Sequence, residues 1–184
     1  MQGGARPGVR HSNAHSDVLE RFNVQDTKPV ATPCESGMHL RADDSPPHCD
    51  RDPKTVRDYQ ACIGSLLYLG VFIRGDCAFG INQCARLLNN PGPSHIAAAK
   101  RILRYLAGTS SLGLTYTRTD KSVMANMLSA SADADHSGAD DRRSVSRWAV
   151  MLSGETISWT SRRQPVTAIS STESEVYSAG LYPY

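Results

Sequence analysis

Three successive stretches of apolar residues at helical spacing, followed by a switch to strict alternation, constrain this chain more than any other feature. From Arg57 onward, Tyr59, Cys62, Ile63, Leu66 and Leu67 recur at three- and four-residue steps, and Gly70 offers an end to that helix. Asp76 is placed to cap a second helix with the stripe Cys77, Ala78, Ile81, Cys84, Ala85 and Leu88, which Asn89-Asn90-Pro91-Gly92-Pro93 stops. Ser94 is placed to cap a third, with Ala98, Ile102, Tyr105 and Leu106 facing inward and Gly108 just past its end. The period then changes to two. Leu112, Leu114 and Tyr116 alternate with small or polar residues, and Met124 to Asp133 reads as a strand ending at an acid. Ser146 to Leu152 alternates Trp148, Val150 and Leu152. A Ser153-Gly154 turn then leads into Glu155 to Ser161, with Ile157 and Trp159 on one face. Ser170-x-x-Glu173 is a capping box that opens a last helix. Helices first and strands after predict an α+β fold.

Upstream, a short helix is predicted from Asp17, as its cap, to about Phe22, with Val18, Leu19 and Phe22 apolar. Residues 25–56 carry Pro29, Pro33, Pro46, Pro47 and Pro53 with no apolar period, which reads as a linker. The early helix is therefore expected to be tethered rather than packed. The expected organisation is a flexible arm and Pro-rich linker with one short helix over residues 1–56, a helical unit over 57–110 and a sheet-bearing domain over 111–184.

Composition narrows the function classes. Hydrophobic residues make up 40% of the chain and aromatic ones only 7%, so the core is aliphatic. A net charge of +2 from mixed acids and bases leaves nucleic-acid binding to local patches. The five cysteines are odd in number and form no Cys-x-x-Cys, which argues against zinc. Cys62, Cys77 and Cys84 fall on apolar helix faces, where a thiol behaves as a small hydrophobe. Reduced, buried thiols suit an intracellular place of action. The Met1 to Asp17 segment is polar and Gly-rich, unlike a secretory signal peptide, and Ala61 to Ile73 is too short a run to span a bilayer. No Gly-rich phosphate loop occurs, and Ser146 and Ser153 lie in no nucleophile elbow. Arg74-Gly75-Asp76 copies an adhesion tripeptide but stands at a helix start.

The block order carries a resemblance. Val18-Leu19-Glu20-Arg21-Phe22 and Thr32-Pro33 are followed by Tyr59-Gln60-Ala61-Cys62-Ile63-Gly64-Ser65-Leu66-Leu67-Tyr68-Leu69. Asn90-Pro91, His95 and Ala99-Lys100-Arg101-Ile102-Leu103-Arg104-Tyr105-Leu106-Ala107-Gly108-Thr109 come next. Then follow Asp133-Ala134-Asp135, Asp141-Arg142-Arg143-Ser144, Ile157-Ser158-Trp159, Gln164 and Ser171-Thr172-Glu173-Ser174-Glu175. This succession resembles the C-terminal part of the copia-type retrotransposon polyprotein, from the end of the reverse transcriptase into its ribonuclease H domain. Three departures stand out: Arg74-Gly75-Asp76 where the family has Arg-Pro-Asp, His136 in place of a tryptophan, and Arg147 in place of a glycine.

The resemblance implies a three-helix unit followed by a ribonuclease H-like antiparallel sheet and the start of one helix, truncated relative to the full domain. The strand over 124–132 would then have an open edge, inviting self-association. It also implies an ancestral site for RNA–DNA hybrid processing, with Asp133 as the first-strand acid, Glu175 as the helix acid and Asp135 as a further metal ligand. Glu173 is a rival for the helix position, but at N3 of the capping box it is free to turn back to the Ser170 amide. Two-metal hydrolysis needs several carboxylates around Mg²⁺, so these acids are expected to be too few for a working site, and no cofactor is expected. Without the resemblance, Asp133 and Asp135 read as a solvated strand end, and His136 as a surface histidine. Arg142, Arg143, Arg162 and Arg163 read equally as a solvated basic surface or as phosphate contacts to an RNA–DNA hybrid.

A second resemblance belongs to another class. Arg101-Ile102-Leu103-Arg104 matches the RxLR string of secreted oomycete effectors, and Asp140-Asp141-Arg142-Arg143 is similar to the acidic-then-basic motif that often follows it. On that reading the protein is secreted, enters host plant cells and binds host proteins without catalysis. The blunt alternative is that the tetrapeptide is a piece of the third helix, with Ile102 in the core.

Overall fold

The computed structural model describes residues 12–38, 40–47, 50–114, 116, 127–135, 143–165, 167 and 170–180. The fold is α+β. Helices α1 (Ser12–Arg21), α2 (Pro53–Phe72), α3 (Ala78–Ala85) and α4 (Pro93–Gly108) precede strands β1 (Leu128–Asp135), β2 (Val145–Leu152) and β3 (Glu155–Arg163), and helix α5 (Ser171–Gly180) follows. The strands form an antiparallel sheet in the order β1-β2-β3.

The helical unit is built on the predicted stripes. Ile63, Leu66, Leu69, Ile81, Ile102 and Leu106 are fully buried against one another, and Cys62, Cys77 and Cys84 are buried and unpaired among them. Burial raises these thiols, Cys62 to about 11 and Cys77 and Cys84 to about 12, because a thiolate there would lose its water.

The helix ends differ from expectation. Asp52 caps α2, its carboxylate accepting from the Lys54 and Thr55 amides, so the helix begins before Arg57. It also runs through Gly70, whose missing side chain makes room for Ile81: a Cβ there would lie 2.8 Å from Ile81 Cδ1. Asp76 does not cap α3 directly. It lies in a 3-10 turn, Gly75–Cys77, that leads into that helix. Gly92, not Ser94, precedes α4. Its amide donates to His95 Nδ1 at 2.8 Å, which leaves His95 Nε2 to donate to Arg41 O at 2.8 Å.

The early helix is longer than predicted and is not tethered. Val18 and Leu19 lie in the core with Val24 and Leu40. The proline-bearing segment after it is seated on α4 and the loop before it. Arg104 Nε donates to Lys28 O, His95 to Arg41 O and Asn90 Nδ2 to Pro46 O. Arg101 pairs with Glu35 at 2.9 Å. Apart from a 3-10 turn at Ala42–Asp44, this proline-bearing stretch carries no regular element among the described residues but leaves its carbonyls free to accept, and apolar period does not register that mode of packing.

In the sheet, Ser153 and Gly154 both take positive φ (54° and 85°), the two-residue turn whose twist suits a hairpin. Leu112, Leu114 and Tyr116 form no strand. Leu112 and Tyr116 are more than half exposed, and Tyr116 approaches β3 through its hydroxyl, which donates to Thr156 O at 3.0 Å, without a ladder among the described residues. The predicted first strand is realised as β1, at the edge of the sheet, while residues 124–126 lie outside the described ones.

Hydrogen bonds fasten the sheet to the helical unit. Trp159 Nε1 donates to Gly70 O at 2.8 Å, and Asn82 Nδ2 donates to Ser161 O at 2.7 Å. Helix α5 is fastened by Gln164, buried at 1% exposure, whose amide donates to Ser146 Oγ and Ser174 O.

Candidate functional site

Alternation along β1 puts Asp133 and Asp135 on one face of the sheet. The register pairs Asp133 with Arg147 and Arg147 with Ser161, so these side chains share that face. Arg147 reaches both acids, Nη1 at 3.7 Å from Asp133 and Nη2 at 3.4 Å from Asp135. Its guanidinium also lies 5.2 Å from the ring centroid of Phe79 on α3. A cleft of about 620 Å³ opens here between the sheet and the start of α3, with Asp76, Phe79, Asp133, Arg147 and Trp159 in its walls.

Helix α5 sits against the other face. Ser146, next to Arg147 and therefore on the opposite side, takes the Gln164 amide that also holds Ser174. Ser174 and Ser178 are the residues of α5 that bury, and Ser178 Oγ donates to Asp133 O, a main-chain carbonyl. Glu175 is exposed on this helix, and Glu173 is in the cap, its amide donating to Ser170 Oγ at 3.1 Å. The Asp133 carboxylate and the helix that carries Glu175 therefore lie on opposite faces of the sheet.

Among the described residues no three His, Cys, Asp or Glu side chains gather as a metal-holding group. Asp133 and Asp135, both more than half exposed, meet the Arg147 guanidinium at ion-pair distance, one acid at each Nη. Mg²⁺ would need its near-octahedral oxygen shell in the same space. Sequence reasoning noted Arg147 only as a departure from the family glycine. Its position opposite Asp133 follows from the strand register, which alternation alone does not fix.

The basic candidates divide. Arg163 shares the Asp133 face through its partner Val145, and Arg162 points to the other face beside Ser146. Arg143 is exposed just before β2, and Arg142 and His136 lie outside the described residues. The Arg101-Ile102-Leu103-Arg104 tetrapeptide lies within α4, with Ile102 and Leu103 in the core and both arginines holding the segment around residues 28–35.

Arg74-Gly75-Asp76 is a joint in which the arginine is buried and the acid reaches the surface. Arg74, 2% exposed, bonds both Asp76 oxygens and both oxygens of Thr109, and its guanidinium stacks on Tyr105. Burial alone would raise the Asp76 carboxyl, but hydrogen bonds from Arg74 and Tyr105 outweigh it and hold that group below the usual carboxylate range.

Among known proteins, the chain is 37% identical over 164 residues to the retrovirus-related Pol polyprotein from transposon TNT 1-94 of Nicotiana tabacum. It is 36% identical over 162 residues to that of transposon RE2 of Arabidopsis thaliana. The alignments cover 88% and 86% of this chain. The chain belongs to the copia-type retrotransposon Pol family. It spans about a tenth of the length of those Pol polyproteins, 12% and 10% respectively. The chain is also similar to secreted RxLR effector protein 161 of Plasmopara viticola, 36% identical over 118 residues, which cover 64% of this chain and 80% of that protein. No family model matches this copia-type chain, and no solved structure does. Among its described residues no helix is long and apolar enough to cross a membrane.

Proposed function

We propose that this chain is a retrotransposon-derived Pol segment whose sheet descends from an RNA–DNA hybrid-processing domain and no longer cleaves hybrids. The observation that carries this reading is Arg147. Its guanidinium lies within 3.7 Å of Asp133 and 3.4 Å of Asp135, where an ancestral site would present those carboxylates to metal. Arg147 brings a cation to the acids without supplying a metal-bound water, which metal-assisted hydrolysis requires. The helix acid adds nothing to the pair, because Glu175 belongs to a helix on the opposite face.

The test is Mg²⁺-dependent cleavage of an RNA–DNA hybrid by the wild type and by Asp133→Asn. Background cleavage in both is expected. Robust wild-type activity that disappears in the variant overturns the reading.

The Plasmopara viticola effector match favours a second reading, in which the chain is secreted and modulates host cell death by binding. The tetrapeptide then contributes as part of a folded helix, since Ile102 and Leu103 are core residues. Expression in leaves against a cell-death elicitor tests it. Suppression of death supports the effector role, and its absence, together with retention of the protein inside the producing cell, removes it.

A further inference from the structure

Strand β1 is an outer strand of the sheet, and among the described residues no strand lies beyond it. The ladder shows which of its main-chain groups are left over. Ser153 N donates to Met127 O at 2.8 Å, and the register runs on from there with Leu128 opposite Leu152 and Asp133 opposite Arg147. In an antiparallel pair, residues that exchange bonds with the neighbour alternate with residues that turn theirs away. Ser129, Ser131, Asp133 and Asp135 therefore bond to β2. The amides and carbonyls of Leu128, Ala130, Ala132 and Ala134 point off the sheet. This rim is open: Ser129, Ala130 and Ser131 are exposed, and Leu128 is 65% exposed.

Native edge strands are commonly blocked by lysine, proline or a bulge. β1 contains none of these; it is built of Leu, Ser, Ala and Asp alone, and its register with β2 is unbroken. What it carries is a self-complementary order of donors and acceptors. A second β1, laid antiparallel with Ala132 opposite Ala132, sets Ser131 opposite Asp133 and Ser129 opposite Asp135 on the face of the acids. On the other face it sets Ala130 opposite Ala134. Each carboxylate then meets a hydroxyl that can donate to it, and the three alanines exchange main-chain bonds across the seam. Other alignments bring acids together. A parallel partner in register places Asp133 against Asp133, and an antiparallel centre at Asp133 or Ala134 also places acid against acid, which is unfavourable directly across a ladder.

We propose that β1 is a self-pairing edge, through which two copies of this chain join antiparallel about Ala132 into one continuous sheet. The pairing is isologous and uses both open rims, so it closes at two copies. One strand from each side is a small contact, and the pair is therefore weak and concentration-dependent. It requires nothing of the ancestry or activity of the acids, and stands apart from the proposed loss of cleavage.

The experiment is sedimentation velocity on the full chain across the micromolar range, with folding checked by circular dichroism. The wild type is expected to show a monomer–dimer equilibrium. Ser131→Asp, at an exposed position, sets an acid against Asp133 of the other copy and should weaken the dimer about tenfold or more. Ser131→Lys sets an ammonium there and should tighten it. Arg57→Ser, which removes one unit of positive charge at the exposed start of α2, should match the wild type. A wild type that stays monomeric overturns the proposal, as do a dimer untouched by Ser131→Asp, a dimer weakened by Ser131→Lys, and growth beyond two copies. Oxidative cross-linking then reads the register. Cysteines in Ala132→Cys would face each other at a Cα separation of about 5.5 Å, within disulfide reach. A covalent dimer is expected from that variant and not from Ala130→Cys, whose counterpart stands opposite Ala134. Equal cross-linking of the two variants, or none in Ala132→Cys, overturns the pairing about Ala132.

Discussion

A Cβ on Gly75 would lie 2.6 Å from Trp159 Nε1, so this position and the tryptophan are fitted to each other. The family's proline at this place carries a Cβ, and the glycine here lets the indole close over the 3-10 turn. Gly75→Ala is expected to cost about 1–3 kcal/mol through overpacking, read as a lower urea midpoint with a shifted tryptophan emission. Its neighbour Asp76 sets an acid limb. The folded-state carboxyl lies below its ordinary value, so its stabilisation is complete above the usual carboxylate range and is lost as pH falls through the lowered value. Unfolding followed between about pH 6 and pH 2 should show this loss, and Asp76→Asn should flatten that part of the curve. The sequence marks Gly75 and Arg147 as departures but says nothing of what they touch. Trp159 and Asp133 come from strands far along the chain, and only packing brings them together.

Helix α4 gives a cleaner case of what can be read in advance. Its inward stripe of Ala98, Ile102, Tyr105 and Leu106 is visible as periodicity; Ala98, Ile102 and Leu106 are buried, and Tyr105 packs against the core half-buried. Within it, the tetrapeptide Arg101-Ile102-Leu103-Arg104 divides between core and rim. Ile102→Ala should cost about 2–5 kcal/mol through the cavity it leaves. Arg101→Ala and Arg104→Ala should each cost about 1 kcal/mol or less, since their contacts lie at the exposed surface. Denaturant midpoints of the three variants check the order. An order with the arginines costlier than Ile102 would mean that the rim of α4 outweighs its core. The β2–β3 hairpin was equally legible, because Ser153-Gly154 is a local signal. The Leu112–Tyr116 alternation misled, because three alternating residues carry no information about whether a partner strand lies beside them.

Across the molecule, Trp159 fastens the sheet to the helices through Gly70 O on one side and Gly75 on the other. Trp159→Ala should cost about 3–5 kcal/mol and separate the unfolding of the two halves, visible as two transitions by calorimetry. A single sharp transition at the wild-type temperature would show that the other contacts, Asn82–Ser161 and Arg147–Phe79 among them, hold the halves together. The α+β class follows from the change of period, but the seating of residues 28–46 on the helices does not, because no apolar repeat marks it. Three of its attachments are made to main-chain oxygens, those of Lys28, Arg41 and Pro46. Every amino acid brings such an oxygen, so each of these bonds survives a change of residue at its acceptor. Removing or adding one residue would instead carry all the later oxygens past their donors. Over this stretch selection is expected to hold length more tightly than spelling, so that a one-codon deletion should do more harm than a run of substitutions.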